Sequence, residues 1–190
     1  MIQPDFCDYI AITNRHLARC EYFEQIKRIV SLRPYALILR EKDLSDEEYE
    51  AYARKVKRIC DEYDVLFYPH SHVDLAKKIG QNVHLPFTGF IELRKRGDLN
   101  DFRKISVACH SLDEALKAEA YGASELILGT IFETECKKGL KGRGTDFVRT
   151  VSESCNIPVY AIGGIKPENI EKVKAAGAAG GCMMSWFMHC

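Results

Sequence analysis

No apolar run in the chain approaches the length needed to cross a membrane, and the Met1 end has no charged-then-apolar leader. A cytoplasmic protein with no membrane partner is expected. Net charge is lacking too, because 27 Lys and Arg balance 27 Asp and Glu. That balance argues against a nucleic-acid partner, which would need a broad basic face, but it permits a small basic pocket. No GxGxxG follows the first apolar run, which disfavours a doubly wound open sheet. No linker, composition shift or sequence repeat divides the chain, so residues 1–190 read as one domain with a sizeable core.

Cysteine is plentiful, with eight residues at 7, 20, 60, 109, 136, 155, 182 and 190. Still, there is no CxxC pair, and no Cys/His cluster has zinc spacing. The expectation is small thiols in a reducing compartment rather than a disulfide framework.

What the chain does have is alternation. Apolar strand-like runs lie at Asp8 to Thr13, Tyr35 to Leu39, Val65 to Tyr68, Asn82 to Leu85, Lys104 to Ala108, Ser124 to Leu128, Ile157 to Ile162 and Ala178 to Met184. Helical spacing fills most intervals. Predicted helices cover Cys20 to Leu32, Ser45 to about Tyr63, Val73 to Ile79, a stretch after Ser111, Thr145 to Ser154 and Pro167 to Ala176. Ser45 with Glu48, and Ser111 with Glu114, have capping-box spacing. Ile91 to Asp101 is charged and reads as a solvated helix end. Gly177 should end the helix before it, and Ser185 should open a short closing helix. Eight strands alternating with about eight helices predict a single-domain α/β TIM (βα)8 barrel.

In such a barrel the chemistry sits where strands end. Polar residues collect there: Thr13, Arg40 and Lys42, His70 and Ser71, His84, His110, Thr130, Gly163 and Gly164, and Ser185. Paired glycines are explained by a tight turn alone. Placed after strand seven, though, Gly163 and Gly164 can offer backbone donors to a phosphate. Thr134 and Lys137, on the long loop after strand six, can fold over the same place. Met184 and Ser185 approach it from strand eight. Three histidines without a carboxylate make an unusual metal set, so neither metal nor cofactor is expected. An imidazole can both take and give a proton, which makes His110 the acid–base candidate, and its bland reading is a hydrogen bond to the helix cap beside it.

LILREKDLS (37–45), HVDLA (72–76), VHL (83–85), HSLDEA (110–115), LILGTIFETECKKG (126–139), IPVYAIGGIKPENI (157–170) and GCMMS (181–185) together resemble the thiamine phosphate synthase/TenI superfamily. The resemblance runs in order through almost the whole chain and implies a TIM barrel, a phosphorylated thiazole ligand and a possible homodimer. It implies one of two activities. Synthases join a pyrimidine diphosphate to thiazole phosphate and release pyrophosphate, using magnesium. TenI-like tautomerases isomerise a carboxylated thiazole phosphate without metal.

The chain departs from the synthase pattern in three places. Ile38 stands where synthases have Gln, His70-Ser71 replaces Asn-Asp, and Gly89 falls where a further Asp is expected. Magnesium prefers carboxylate oxygens, so these departures favour the tautomerase. On that reading His110 is the acid–base catalyst, with Arg40 and Lys42 stabilising charge. Thr134, Lys137, Gly163, Gly164, Met184, Ser185, His70 and His84 would bind substrate. Synthase activity is the first alternative, and a non-catalytic thiazole phosphate-binding regulator is the second.

Overall fold

The computed structural model describes residues 6–134, 139 and 141–190. Eight strands are present: β1 (Tyr9–Ile12), β2 (Ala36–Leu39), β3 (Leu66–Pro69), β4 (Asn82–Pro86), β5 (Lys104–Cys109), β6 (Glu125–Gly129), β7 (Val159–Ile162) and β8 (Gly180–Met183). The helices are α1 (Tyr22–Ser31), α2 (Asp46–Glu62), α3 (Val73–Ile79), α4 (Phe87–Arg96), α5 (Leu112–Ala120), α6 (Gly144–Ser154), α7 (Ile170–Lys174) and α8 (Ser185–His189). All strands pair in parallel, in the order β3-β2-β1-β8-β7-β6-β5-β4. One parallel bridge, His70 to His84, links the outer strands β3 and β4 and nearly closes the sheet into the predicted barrel.

Period-two alternation divides the core into two layers. Ile10, Ile12, Ala36, Ile38, Tyr68, Ile127, Tyr160 and Cys182 point inward and fill the barrel axis. Their neighbours on the same strands, such as Ala11, Leu37, Leu39, Phe67, Leu126 and Ala161, point outward. There they meet the apolar stripes of the helices, for example Ile26, Ile29 and Val30 of α1 and Ala53, Val56 and Cys60 of α2. Among the described residues no helix is long and apolar enough to cross a membrane, and Cys20, Cys60, Cys109, Cys155, Cys182 and Cys190 are free thiols.

Strand and helix order follow the sequence expectation, and the differences have local causes. Both bonds of the Ser45–Glu48 capping box form. At the second box, Ser111 accepts from the Glu114 N–H, but the Glu114 carboxylate reaches one residue further back, to the His110 N–H at 2.6 Å. The helix expected over Pro167 to Ala176 shrinks to α7. Asn169 accepts from the Lys166 N–H at 2.9 Å and donates to the Gly164 carbonyl at 2.8 Å, so a side-chain-held turn takes up its start. A 3-10 turn at Arg15–Leu17, capped by Asn14, was not anticipated. The charged segment proves to be the end of α4, closed by Gly97 in the left-handed region.

Two glycines give opposite predictions. A Cβ at Gly180 would lie 1.8 Å from the Asp8 carbonyl oxygen, whereas at Gly89, in the first turn of α4, it would meet nothing within 4 Å. Gly180→Ala should unfold the chain or lower its urea midpoint sharply. Gly89→Ala should raise stability by about 0.5–1 kcal/mol through reduced chain entropy.

Candidate phosphate site at the barrel mouth

The inward register of each strand continues past its end. Two residues beyond Ile38 comes Arg40, beyond Tyr68 comes His70, beyond Ala108 comes His110, and beyond Cys182 comes Met184. Strand alternation therefore aims four of the expected residues at the carboxyl mouth. Met184 is partly buried against the inner core. His84 differs. It occupies the middle of β4, is 7% exposed, and lies inside the barrel rather than at its rim.

Arg40 is half-buried and Lys42 exposed, and neither is in an ion pair among the described residues. The carboxylate between them, Glu41, turns away and is 3% exposed. It accepts from the Thr13 hydroxyl (2.7 Å), the Tyr22 hydroxyl (3.1 Å) and the Arg15 N–H (3.0 and 3.1 Å to its two oxygens). Thr13 in turn accepts from the Arg40 N–H at 3.0 Å. Thr13 and Glu41 thus build the rim that presents Arg40.

The second support is Tyr49 of α2. Its hydroxyl donates to the Leu39 carbonyl (2.6 Å) and accepts from the His70 N–H (2.9 Å), and its ring stacks on His72 at 3.6 Å. Tyr49 ties the ends of β2 and β3 together. Sequence reading gave it no role beyond lying in the helix that Ser45 opens; the useful signal was that a buried tyrosine hydroxyl needs a partner.

The rings of His70 and His84 lie 5.4 Å apart. His84 Nδ1 contacts the Ser106 hydroxyl at 3.0 Å. Burial, then the positive charges of Arg40 and Lys42, draw His70 down to about 4. Burial, then His70 and Arg40, draw His84 down to about 3. Both are neutral imidazoles at neutral pH. His110 stands apart, four residues up β5 from Ser106, roughly 13 Å along the strand. The three histidines therefore form a pair and a single residue. Deeper in the barrel, buried Glu125 accepts from the Tyr35 hydroxyl at 2.9 Å, and Lys104 donates to the same hydroxyl at 2.8 Å. Burial raises the Glu125 carboxyl above its ordinary value.

His110 is exposed, and its ring and backbone are both held. Nδ1 contacts the Gly129 carbonyl at 2.8 Å and donates to it, which leaves Nε2 outside that bond. Its backbone is held by Glu114 and by the guanidinium of Arg143, which donates to the His110 carbonyl and covers the Phe147 ring at 3.7 Å. The cap contact is real but uses the backbone, so the ring remains available. The part played by Arg143 had no sequence signal.

Gly163 and Gly164 adopt φ of 101° and 63°. A Cβ on Gly163 would fall 2.5 Å from Thr130 Cγ2, and one on Gly164 2.6 Å from the Glu133 carbonyl. Close packing of the strand-six loop therefore accounts for both glycines. Their carbonyls accept from the Phe132 N–H and Asn169 Nδ2, while among the described residues neither N–H is donated. Thr134, next to the Glu133 that packs on Gly164, and Ser185 at the start of α8 are half-buried. Lys137 lies outside the described residues.

These features define a βα barrel whose mouth carries, among the described residues, two unpaired cations after β2 and two undonated backbone N–H groups after β7. Residues 9–187 match the thiamine monophosphate synthase family (TMP-TENI), and the chain belongs to it. It is 33% identical to "Putative thiamine-phosphate synthase 2" of Aquifex aeolicus over 181 residues, covering 94% of this chain and 96% of that one. It is 32% identical to "Putative thiamine-phosphate synthase" of Geobacter sulfurreducens, covering 97% and 88%. Thiamine phosphate pyrophosphorylase from Pyrococcus furiosus superposes with a TM-score of 0.81 at 28% identity, covering 98% of this chain and 89% of that one. The tautomerase expectation is overturned by these relatives, which are named as synthases over nearly the full chain. It gave the missing carboxylates more weight than the full-length likeness.

Magnesium, which the synthase resemblance implies, does not fit the residues present. Ser71 and Gly89 stand at the two carboxylate positions, and the charges that act on the adjacent His70 include the cations Arg40 and Lys42. Among the described residues no group of three or more His, Cys, Asp or Glu could hold a metal ion.

The histidine pair predicts a pH effect. A histidine with a lower pKa folded than unfolded binds its proton first in the unfolded chain. Its stabilising contribution is present above the ordinary value of 6.5 and is lost as the pH falls toward the folded value. Between about pH 6.5 and 4.5 each should withdraw on the order of 2 kcal/mol. The thermal midpoint should fall more steeply over that window in wild type than in His84→Asn. Equal slopes would show that the fold does not hold His84 neutral.

Proposed function

We propose that this protein is a thiamine-phosphate synthase-type transferase, joining a pyrimidine carrying a diphosphate to a thiazole phosphate with release of pyrophosphate. The observation that carries this reading is the presence of two anion-receptive places rather than one. Arg40 and Lys42, unpaired among the described residues, follow β2, and the Gly163 and Gly164 N–H groups, undonated among the described residues, follow β7. They lie three strand positions apart, roughly 14 Å along the barrel wall. Two phosphorylated substrates need two such places at the same mouth.

Charge decides which substrate sits where. The more highly charged diphosphate belongs with the two side-chain cations, where negative charge grows as the carbon–oxygen bond breaks. The monophosphate belongs at the glycine turn, where backbone donors suffice. Thr134, Lys137 and Ser185 are assigned to the same phosphate. A thiazole nitrogen then attacks the pyrimidine methylene carbon as pyrophosphate leaves. No carbon-bound proton has to be removed, so His110 is assigned to substrate positioning through Nε2 and not to base catalysis. Full-length membership in the family supports the same reading.

The direct test mixes purified protein with both substrates. One pyrophosphate should appear for each thiamine phosphate formed. Arg40→Met should lower kcat/KM by about 100-fold or more, as loss of one preorganised charge-stabilising group does. His110→Ala should act mainly on KM. Binding of thiazole phosphate with no pyrophosphate released would instead identify the non-catalytic binder.

A further inference from the structure

Nothing in the fold forces the two carboxylate positions to be without carboxylates. A side chain at Gly89 would project into open space. Ser71 has φ of 66°, a left-handed conformation that Asp adopts more readily than most residues. Both positions could hold Asp, yet hold Ser and Gly. The nearby cations are not neutralised either. Glu41 is committed to Thr13, Tyr22 and Arg15, and Arg40 and Lys42 have no carboxylate partner among the described residues. His70, drawn close by the barrel closure, adds donor or acceptor capacity without a carboxylate's repulsion.

The charge arithmetic is direct. Two aspartates and one magnesium ion sum to zero, so the ion's role there is to cancel the negative charge of the wall that meets the anion. Arg40 and Lys42 together carry two positive charges with no acidic wall to overcome. A magnesium ion placed here would meet cations and neutral imidazoles in place of oxygen anions.

We propose that this barrel mouth binds a diphosphate directly, on Arg40 and Lys42 with His70 alongside, and has dispensed with the divalent cation. The identity of the anion rests on the transferase reading; its independence of metal rests on the residues above.

Calorimetric titration with inorganic pyrophosphate tests this, once in EDTA and once in excess magnesium. Binding in EDTA is expected, with affinity unchanged or weakened by magnesium, because magnesium neutralises free pyrophosphate. Arg40→Met and Lys42→Met should each weaken binding about tenfold in EDTA. A Ser71→Asp/Gly89→Asp variant should lose at least tenfold in EDTA and recover with magnesium. If that variant does not fold, Ser71→Asp and Gly89→Asp singly should shift the same way by smaller factors. Absence of binding in EDTA, or at least tenfold tightening by magnesium in wild type, overturns the proposal. So does indifference of the Asp variants to magnesium. Metal-independent pyrophosphate binding without turnover on the two substrates would leave this proposal standing and remove the transferase reading.

Discussion

Eight parallel strands make a barrel only if the two outermost strands meet, and here those are β3 and β4. Every other neighbouring pair is joined by a ladder of at least three register pairs, whereas this seam has the single bridge His70 to His84, with the Ser71 N–H donating to the His84 carbonyl at 3.0 Å. A short seam needs outside support. Tyr49 supplies it by tying the His70 N–H to the end of β2, and Ser106 holds the His84 ring from the far side. Closure and the proposed site are one arrangement, because His70, which shuts the barrel, also stands beside the place proposed for the anion.

That dependence explains the division between supporting and presenting residues. Glu41 lies between two cations in sequence and would neutralise them if it shared their direction. Its burial against Thr13, Tyr22 and the Arg15 backbone keeps the negative charge on the outer side of the rim. Three hydrogen-bonding groups offset the cost of burying it. A carboxylate placed behind the rim still orders the loop that carries Arg40 and Lys42, without competing for the ligand's donors.

Much of the fold could be read from the chain because strand and helix periods are local properties. Period two along Ile38-Leu39-Arg40 and Ala108-Cys109-His110 places the mouth residues without any knowledge of contacts. Long-range matters were not legible in this way. The depth of His84 depends on its register with Ser106, and the role of Glu41 depends on a tyrosine from α1. Gly163 and Gly164 could be read as a turn, but their need to be glycine comes from a loop about thirty residues earlier that presses on them. The choice between two chemistries of one family was misjudged for a different reason. Two absent side chains were weighed against a likeness spread over the whole chain, and absence at a metal position can change how an anion is held without changing the reaction.

The barrel axis is plugged. Ile10, Ile12, Ile38, Tyr68, Ile127 and Tyr160 fill it, and the stacked rings of Tyr35 and Tyr160, with Glu125 and Lys104 both on the Tyr35 hydroxyl, close its amino end. In the proposed reaction, two ligands and two products would therefore share one doorway. Whichever ligand settles nearer the His70–His84 floor has to arrive before its neighbour covers it, and its remnant has to wait until that neighbour has gone. A cul-de-sac of this kind imposes an order of traffic through geometry alone, so the sequence of arrivals and departures becomes a property of the plug rather than of any moving part.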